Sequence, residues 1–383
     1  MGLGQTIRKV RMNNMDAVVG ITISAFLIMA GLVLKNNKIL FIIQSIWILI
    51  LICFNSNSVD FPNTQALYDN ANSLFLGSEG FFMNGYYFLS ILAKNLGLNF
   101  IEFNGILAAI STILIYYVIL KLSNNICIAM SLFMLYPLVS SVIQKRWYLA
   151  MGIIVLACYL LLEVNNKKIA TIWYIILIAL ACQFHTAAVY FFTLIIFYWI
   201  PDKFKNFVEI FGLFFLSLFR NQLSVILQST DNKSLAGKSE FYFETLASNN
   251  LWHYLFWLIW HLLFVLLIIY LLKDSKVREV LGDKYSNYLK ILNMWSLLII
   301  PLYSFDPVFS RLFRVVILFN YIAISNIAIV KDFKIRIKYV TSITYQVALS
   351  LSTFIIFNAL AGMPFDQLVF PVFQSNVLIN SLI

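Results

Sequence analysis

Three arginines stand where apolar runs begin. Arg146 opens one run, and Arg311 and Arg314 open another, three positions apart and so on one helical face. A guanidinium forks onto phosphate oxygens in two parallel hydrogen bonds, which a lysine cannot do. A helix N-terminus adds unpaired N–H groups and the positive end of the helix dipole. Together these features suit a pyrophosphate held at a membrane–water boundary. The plain alternative is that each arginine snorkels to lipid headgroups and does nothing more. His185 lies among Cys182, Phe184 and Ala187 and reads either as a core histidine or as a proton acceptor. Asp60 is the second candidate for that proton. Asp69, Glu79 and Tyr86, the last within the aromatic stretch Phe81–Phe88, are candidate substrate contacts, weighed against solvated or interfacial side chains. His253 and His261 lie among Trp252, Trp257 and Trp260 and read as an aromatic belt. Neither metal-ligand spacing nor a nucleotide-binding motif stands out, so no cofactor or metal is expected.

The elements that must carry these residues are set by composition. Of 383 residues, 61% are apolar and 11% charged, with a mean hydropathy of +0.86. A soluble domain carries roughly a quarter charged residues. At about 20 residues per spanning helix, the chain reads as an all-α polytopic membrane protein with about 12 helices. The runs fall near 16–34, 39–54, 100–120, 124–143, 147–164, 169–184, 186–200, 206–220, 253–272, 288–305, 312–330 and 339–360. With no linker or convincing repeat, residues 1–383 read as a single transmembrane domain. Cys53, Cys127, Cys158 and Cys182 sit inside apolar runs and read as small core residues. The stretch from Ile169 to Ile200 would make a helix of roughly 48 Å, too long for a bilayer of about 30 Å. It must break, and its polar cluster is Gln183, His185 and Thr186.

Alternating the loops places 16 of the 27 basic residues on one side, eight on the other and three (Arg8, Lys9 and Arg11) at the N-terminus. By the positive-inside rule the lysine-rich side is cytoplasmic. The +10 charge thus reports topology and not nucleic acid. The opposite, outer face then holds the loops 55–99 and 221–252, Arg146, His185, Arg311 and Arg314. The N-terminal cluster runs against the rule, and the sum of later loops outweighs it.

Longer motifs join these residues. Asp60, Tyr68 and Asp69 are followed by EGFFMNGYYFLSILAKNLGLNF (Glu79–Phe100), VIQKRWYLAMGIIVLA and ALACQFHTAAVYFF. SRLFRVV and LVFPVF come later. The block Ser58–Pro201 resembles the EpsG family, a branch of the Wzy-like bacterial oligosaccharide repeat-unit polymerases. Arg146 and Ala150 match the family's Ile-Arg-Gln-x-x-Ala segment, with Trp147 in place of its glutamine. Phe184 and His185 match its Ala-x-x-Phe-His-x-Ser-Ala segment, with Thr186–Ala187 replacing the usual pair. The resemblance implies a glycosyltransferase of GT-C-like architecture in the bacterial cytoplasmic (inner) membrane, its active site facing outside. It would transfer a growing glycan from undecaprenyl pyrophosphate to a hydroxyl of another lipid-linked unit, in synthesis of capsule, exopolysaccharide or O-antigen. The implied partners are the undecaprenyl-pyrophosphate-linked oligosaccharide, the lipid bilayer, and a chain-length regulator on the 221–252 loop. A flippase for the same lipid-linked oligosaccharide, an O-antigen-ligase-like transferase and a membrane acyltransferase are the competing readings. A flippase would carry its charges along a central path, often with repeats.

Single cysteines introduced into a cysteine-free background test the alternation. An impermeant maleimide is expected to label position 60 from outside, and position 280 only after permeabilisation.

Overall fold

The computed structural model describes residues 3–72, 76, 81–218, 251–328, 332–361 and 365–382. These residues are helical, with one isolated bridge between Asn55 and Asn376. In chain order the helices are α1 (Leu3–Leu34), α2 (Lys38–Cys53), α3 (Phe61–Asp69), α4 (Asn84–Asn95), α5 (Phe100–Leu122), α6 (Ile126–Leu135) and α7 (Leu138–Ile143). They continue as α8 (Lys145–Glu163), α9 (Lys167–Cys182), α10 (Leu194–Trp199), α11 (Asp202–Leu218), α12 (Leu251–Leu272), α13 (Ser275–Leu281) and α14 (Asp283–Leu297). Last come α15 (Ser310–Ile327), α16 (Phe333–Ala361) and three short helices between Phe365 and Leu382.

Among the described residues five helices are long and apolar enough to cross a membrane: Ala17–Leu34, Phe100–Leu122, Lys145–Glu163, Leu251–Leu272 and Ser310–Ile327. The sequence predicts about twelve; most of the other runs form broken or shorter helices, and the run 339–360 lies within the unbroken 29-residue α16. Pro137 splits the 124–143 run into α6 and α7, because proline donates no N–H and its ring clashes with the preceding turn. The 288–305 run stops at Leu297 and resumes as a 3-10 turn, Ile300–Ser304, with Pro301 near its start. The apolar run from Ile169 does break where expected: α9 ends at Cys182, and a 3-10 helix, Thr186–Thr193, leads into α10.

Helix α15 is buried along its whole length. It packs against α6, α14, α16 and α13, and each polar side chain on its lower turns meets a partner. Asn320 and Asn293 exchange amide hydrogen bonds at 2.8 and 3.0 Å. Asn326 donates to the Leu122 carbonyl and accepts from the Asn124 N–H, both at 2.7 Å. Ser325 pairs with the Ser123 hydroxyl at 2.8 Å. The belt reading fails in this region. Trp257 and Trp260 are each 1% exposed and His261 is fully buried, its ring nitrogens bonded to Tyr303 and Ser296. These rings fill the seam between α12 and α15, whereas Trp252, 75% exposed, keeps a position that suits a membrane interface.

The helix ends sort into two groups. At one end Lys276 pairs with Asp332, Lys338 with Asp274, and Lys284 with the Glu163 carbonyl. There Lys338 holds the Asp274 carboxyl below its ordinary range. At the other end lie the break after α9 and the starts of α4, α8 and α15.

Helices α5 and α8 meet through Gly152. A Cβ there would stand 2.8 Å from the Ser111 Cα and 2.9 Å from its carbonyl oxygen, both backbone atoms. The Ser111 hydroxyl also donates to the Tyr148 carbonyl at 2.5 Å. Gly152→Ala should therefore lower stability by about 1–3 kcal/mol, the range for overpacking a filled interface. Its melting temperature in detergent, compared with the wild type, checks this.

Candidate functional site

Breaking a helix inside an apolar bundle frees backbone groups that need partners. The segment before α4 supplies them. The Met83 N–H donates to the Cys182 carbonyl at 3.2 Å, and the Tyr86 N–H to the Gln183 carbonyl at 3.0 Å. The Gln183 amide returns a hydrogen bond to the Phe81 carbonyl at 2.7 Å. The approach is close enough that a Cβ on Gly85 would fall 2.8 Å from the Gln183 Cβ. Met83 is held at φ 64°, a left-handed conformation uncommon for a side chain of its size.

His185 follows the break and caps the 3-10 helix, its Nδ1 accepting from the Ala187 N–H at 3.1 Å. Its Nε2 lies 2.9 Å from Arg311 Nη1. Peptide N–H and guanidinium are both donors, whereas a neutral imidazole carries one hydrogen of its own. The ring is therefore flanked by more donors than it can accept from. Trp147 packs edge-to-face on it, with centroids 5.2 Å apart. The departure from the family pattern at position 147 thus falls on the wall of the imidazole.

Arg311 and Arg314 are 7% and 2% exposed, so neither snorkels. Arg311 Nε donates to the Val308 carbonyl at 2.9 Å. Arg314 Nη1 donates to Gln144 Oε1 at 2.8 Å, whereas its Nε is buried without a partner. Gln144 is the N-cap of α8, but its side chain does not cap that helix. It spans to α15 instead and so joins the two helix starts. Arg146, two residues on, lies over the Tyr86 ring at 5.8 Å and beside the Met83 sulfur at 4.0 Å. Tyr86 is fully buried and its hydroxyl has no partner. Lys145 is buried too, its Nζ on the Asn55 carbonyl at 2.6 Å.

The structure thus brings His185, Arg311 and Arg314 together, with Arg146 and Tyr86 beside them. Asp60 stands apart at the head of α3, next to Phe61, whose ring faces Lys145 at 5.3 Å. Asp69 is exposed on a groove of about 630 Å³ shared with Asn63, Asn70, Tyr87 and Lys94. Glu79, Arg220 and the 221–252 loop up to residue 250 lie outside the described residues. Gln144 and Asp306 were missed from the sequence. Asp306 is half-buried, and the Val308 N–H donates to its Oδ1 at 2.5 Å. Burial raises its carboxyl above the ordinary range, with the Val308 N–H, Arg311 and His253 pulling the other way. An Asp-Pro pair just ahead of a helix is a turn signal and was the available clue.

This is a helical membrane protein with a buried cationic site at one end of its bundle. The model of the EpsG family matches residues 38–370, and the chain belongs to that family. Membership puts it with the polymerases of polysaccharide synthesis. No curated protein and no solved structure matches the chain.

Removing the acceptor of a buried cation is costly. Gln144→Leu should destabilise the protein by about 1.5–3 kcal/mol, the range for hydrogen bonds to charged groups. Thermal unfolding in detergent measures the loss.

Proposed function

We propose that the protein joins oligosaccharide repeat units at the outer face of a bacterial cytoplasmic membrane. The growing glycan, carried on undecaprenyl pyrophosphate, is the donor, and a hydroxyl of a second lipid-linked unit is the acceptor. One observation carries this reading. Buried donors without partners sit next to the Arg311–His185 pair: Arg314 Nε, one helical turn from Arg311, and Nε1 of Trp147, whose ring packs on His185. Buried polar atoms in folded proteins are nearly all paired, so such a gathering fits a ligand rich in acceptor oxygens. A pyrophosphate is such a ligand. One of its oxygens set between His185 Nε2 and Arg311 Nη1 would accept from both and relieve the excess of donors.

The chemistry then divides among named groups. Arg311 and Arg314, with Arg146 at the rim, neutralise the charge that develops on the leaving pyrophosphate. In a water-poor site such stabilisation exceeds its value in water. Tyr86, Asp69 and Glu79 contact the sugars. His185 and Asp60 were the sequence's candidates for the acceptor proton. The helix break and the cap it forms hold His185 against Arg311, which supports a role for it at the pyrophosphate. A regulator of chain length would dock on the 221–252 loop. The buried arginines gather at one end of the bundle and do not line a central path, which favours this reading over a flippase.

Deletion of the gene should leave single lipid-linked repeat units accumulating on the outer leaflet; their retention on the cytoplasmic leaflet would point to a flippase. Arg311→Lys keeps the charge but loses the fork. It should shorten or abolish polymer while the protein still inserts, as gel analysis of polymer length against protein level would show.

A further inference from the structure

We propose that Asp306 takes the proton from the acceptor hydroxyl, an inference that rests on the polymerase reading above. His185 is poorly placed for that role. Nδ1 faces the Ala187 N–H at 3.1 Å and Nε2 faces a guanidinium nitrogen at 2.9 Å. A proton added to either nitrogen would be set against a donor already there, and on Nε2 against a cation. The imidazole is placed to bind an anion, not to accept a proton.

Asp306 occupies the complementary position. The backbone of Val308 ties it to the arginine: the N–H donates to Asp306 Oδ1, and the carbonyl of the same residue accepts from Arg311 Nε at 2.9 Å. The carboxylate and the guanidinium that meets His185 are therefore held by the backbone of one residue. It precedes the first turn of α15, at the same end of the bundle as the cationic site. Partial burial raises its proton affinity above that of an ordinary aspartate, which suits a general base working near neutral pH. Arg311 from α15 and His253 from α12 act on it electrostatically. Helix α11, which packs against the 300–304 turn, carries Glu209.

The step balances without an added reagent. The acceptor oxygen bonds to the anomeric carbon as its proton passes to Asp306. The bond from that carbon to the pyrophosphate oxygen breaks, and its electron pair leaves with the undecaprenyl pyrophosphate. Arg311 and Arg314 hold the added charge. Asp306 later returns the proton to water.

The test uses the full chain in nanodiscs, supplied with lipid-linked repeat units extracted from a strain lacking the gene. Asp306→Asn keeps the acceptor for the Val308 N–H but cannot take the proton. It should lose about 10²–10⁴-fold in polymerisation rate, the usual cost of a missing general base. Crosslinking of the lipid-linked units should persist. His185→Gln should lose less. The wild-type rate should fall on acidification as Asp306 protonates, beginning at a higher pH than an ordinary aspartate would give. That acid limb should vanish in Asp306→Asn, survive in Asp306→Glu and be unchanged in Glu209→Gln. If Asp306→Asn polymerises like the wild type, or keeps the acid limb, the inference is overturned and the polymerase reading stands. If Asp306→Asn does not fold, the Asp306→Glu profile decides, and a limb identical to wild type in position overturns it. If the wild type itself does not polymerise the extracted units, both readings fall.

Discussion

Most of this structure depends on burying one helix that is not uniformly apolar. Helix α15 is enclosed along its whole length, yet it carries two arginines, two asparagines and serines. Each polar group inside a bundle must be met by a partner, or its desolvation goes uncompensated. The neighbours are arranged around that demand. Asn293 answers Asn320, and the α5–α6 turn answers Ser325 and Asn326. At the N-terminal end Gln144 meets Arg314, and the Val308 carbonyl and the His185 ring meet Arg311, but Arg314 Nε is left without a partner. The cationic site is where the pairing of this helix stops short.

The helix break works to the same end by another route. An unbroken helix from Lys167 to Trp199 would carry His185 past the bundle end with all its backbone bonds closed. Ending α9 at Cys182 turns two carbonyls toward the segment before α4, and that segment brings Tyr86 and Met83 under Arg146. One backbone event thus orients the imidazole and the aromatic floor of Arg146 together. In the bundle interior, where the effective dielectric is low, such fixed dipoles act more strongly than in water.

Much of this was legible in the residues. The length of the 169–200 run forced a break, and the only polar cluster in it named the place. The arginine pair marked the start of α15, and loop alternation anticipated which helix ends meet. What escaped is what depends on burial in three dimensions. Trp257, Trp260 and His261 have the composition of an interfacial belt, and nothing local distinguishes a ring facing lipid from one facing α15. Pro137 was visible, but its effect disappeared in a run scored for apolarity alone. Gln144 drew no reading of its own, because its partner lies 170 positions away. Asp306 was passed over too, since its tie to Arg311 runs through the Val308 backbone and follows from how the turn folds back.

The reciprocal pair of Asn293 and Asn320 serves as a depth gauge. Two amides locked face to face between buried helices permit one vertical alignment, since sliding α15 past α14 by a turn would strand both in an apolar interior. Arg311 lies nine residues above Asn320 on the same rigid rod, a rise of roughly 14 Å. The height at which the guanidinium sits in the bundle is thus fixed by an amide pair well below it. The depth of the cationic site can therefore change through residues deep in the bundle, with the cationic groups themselves untouched.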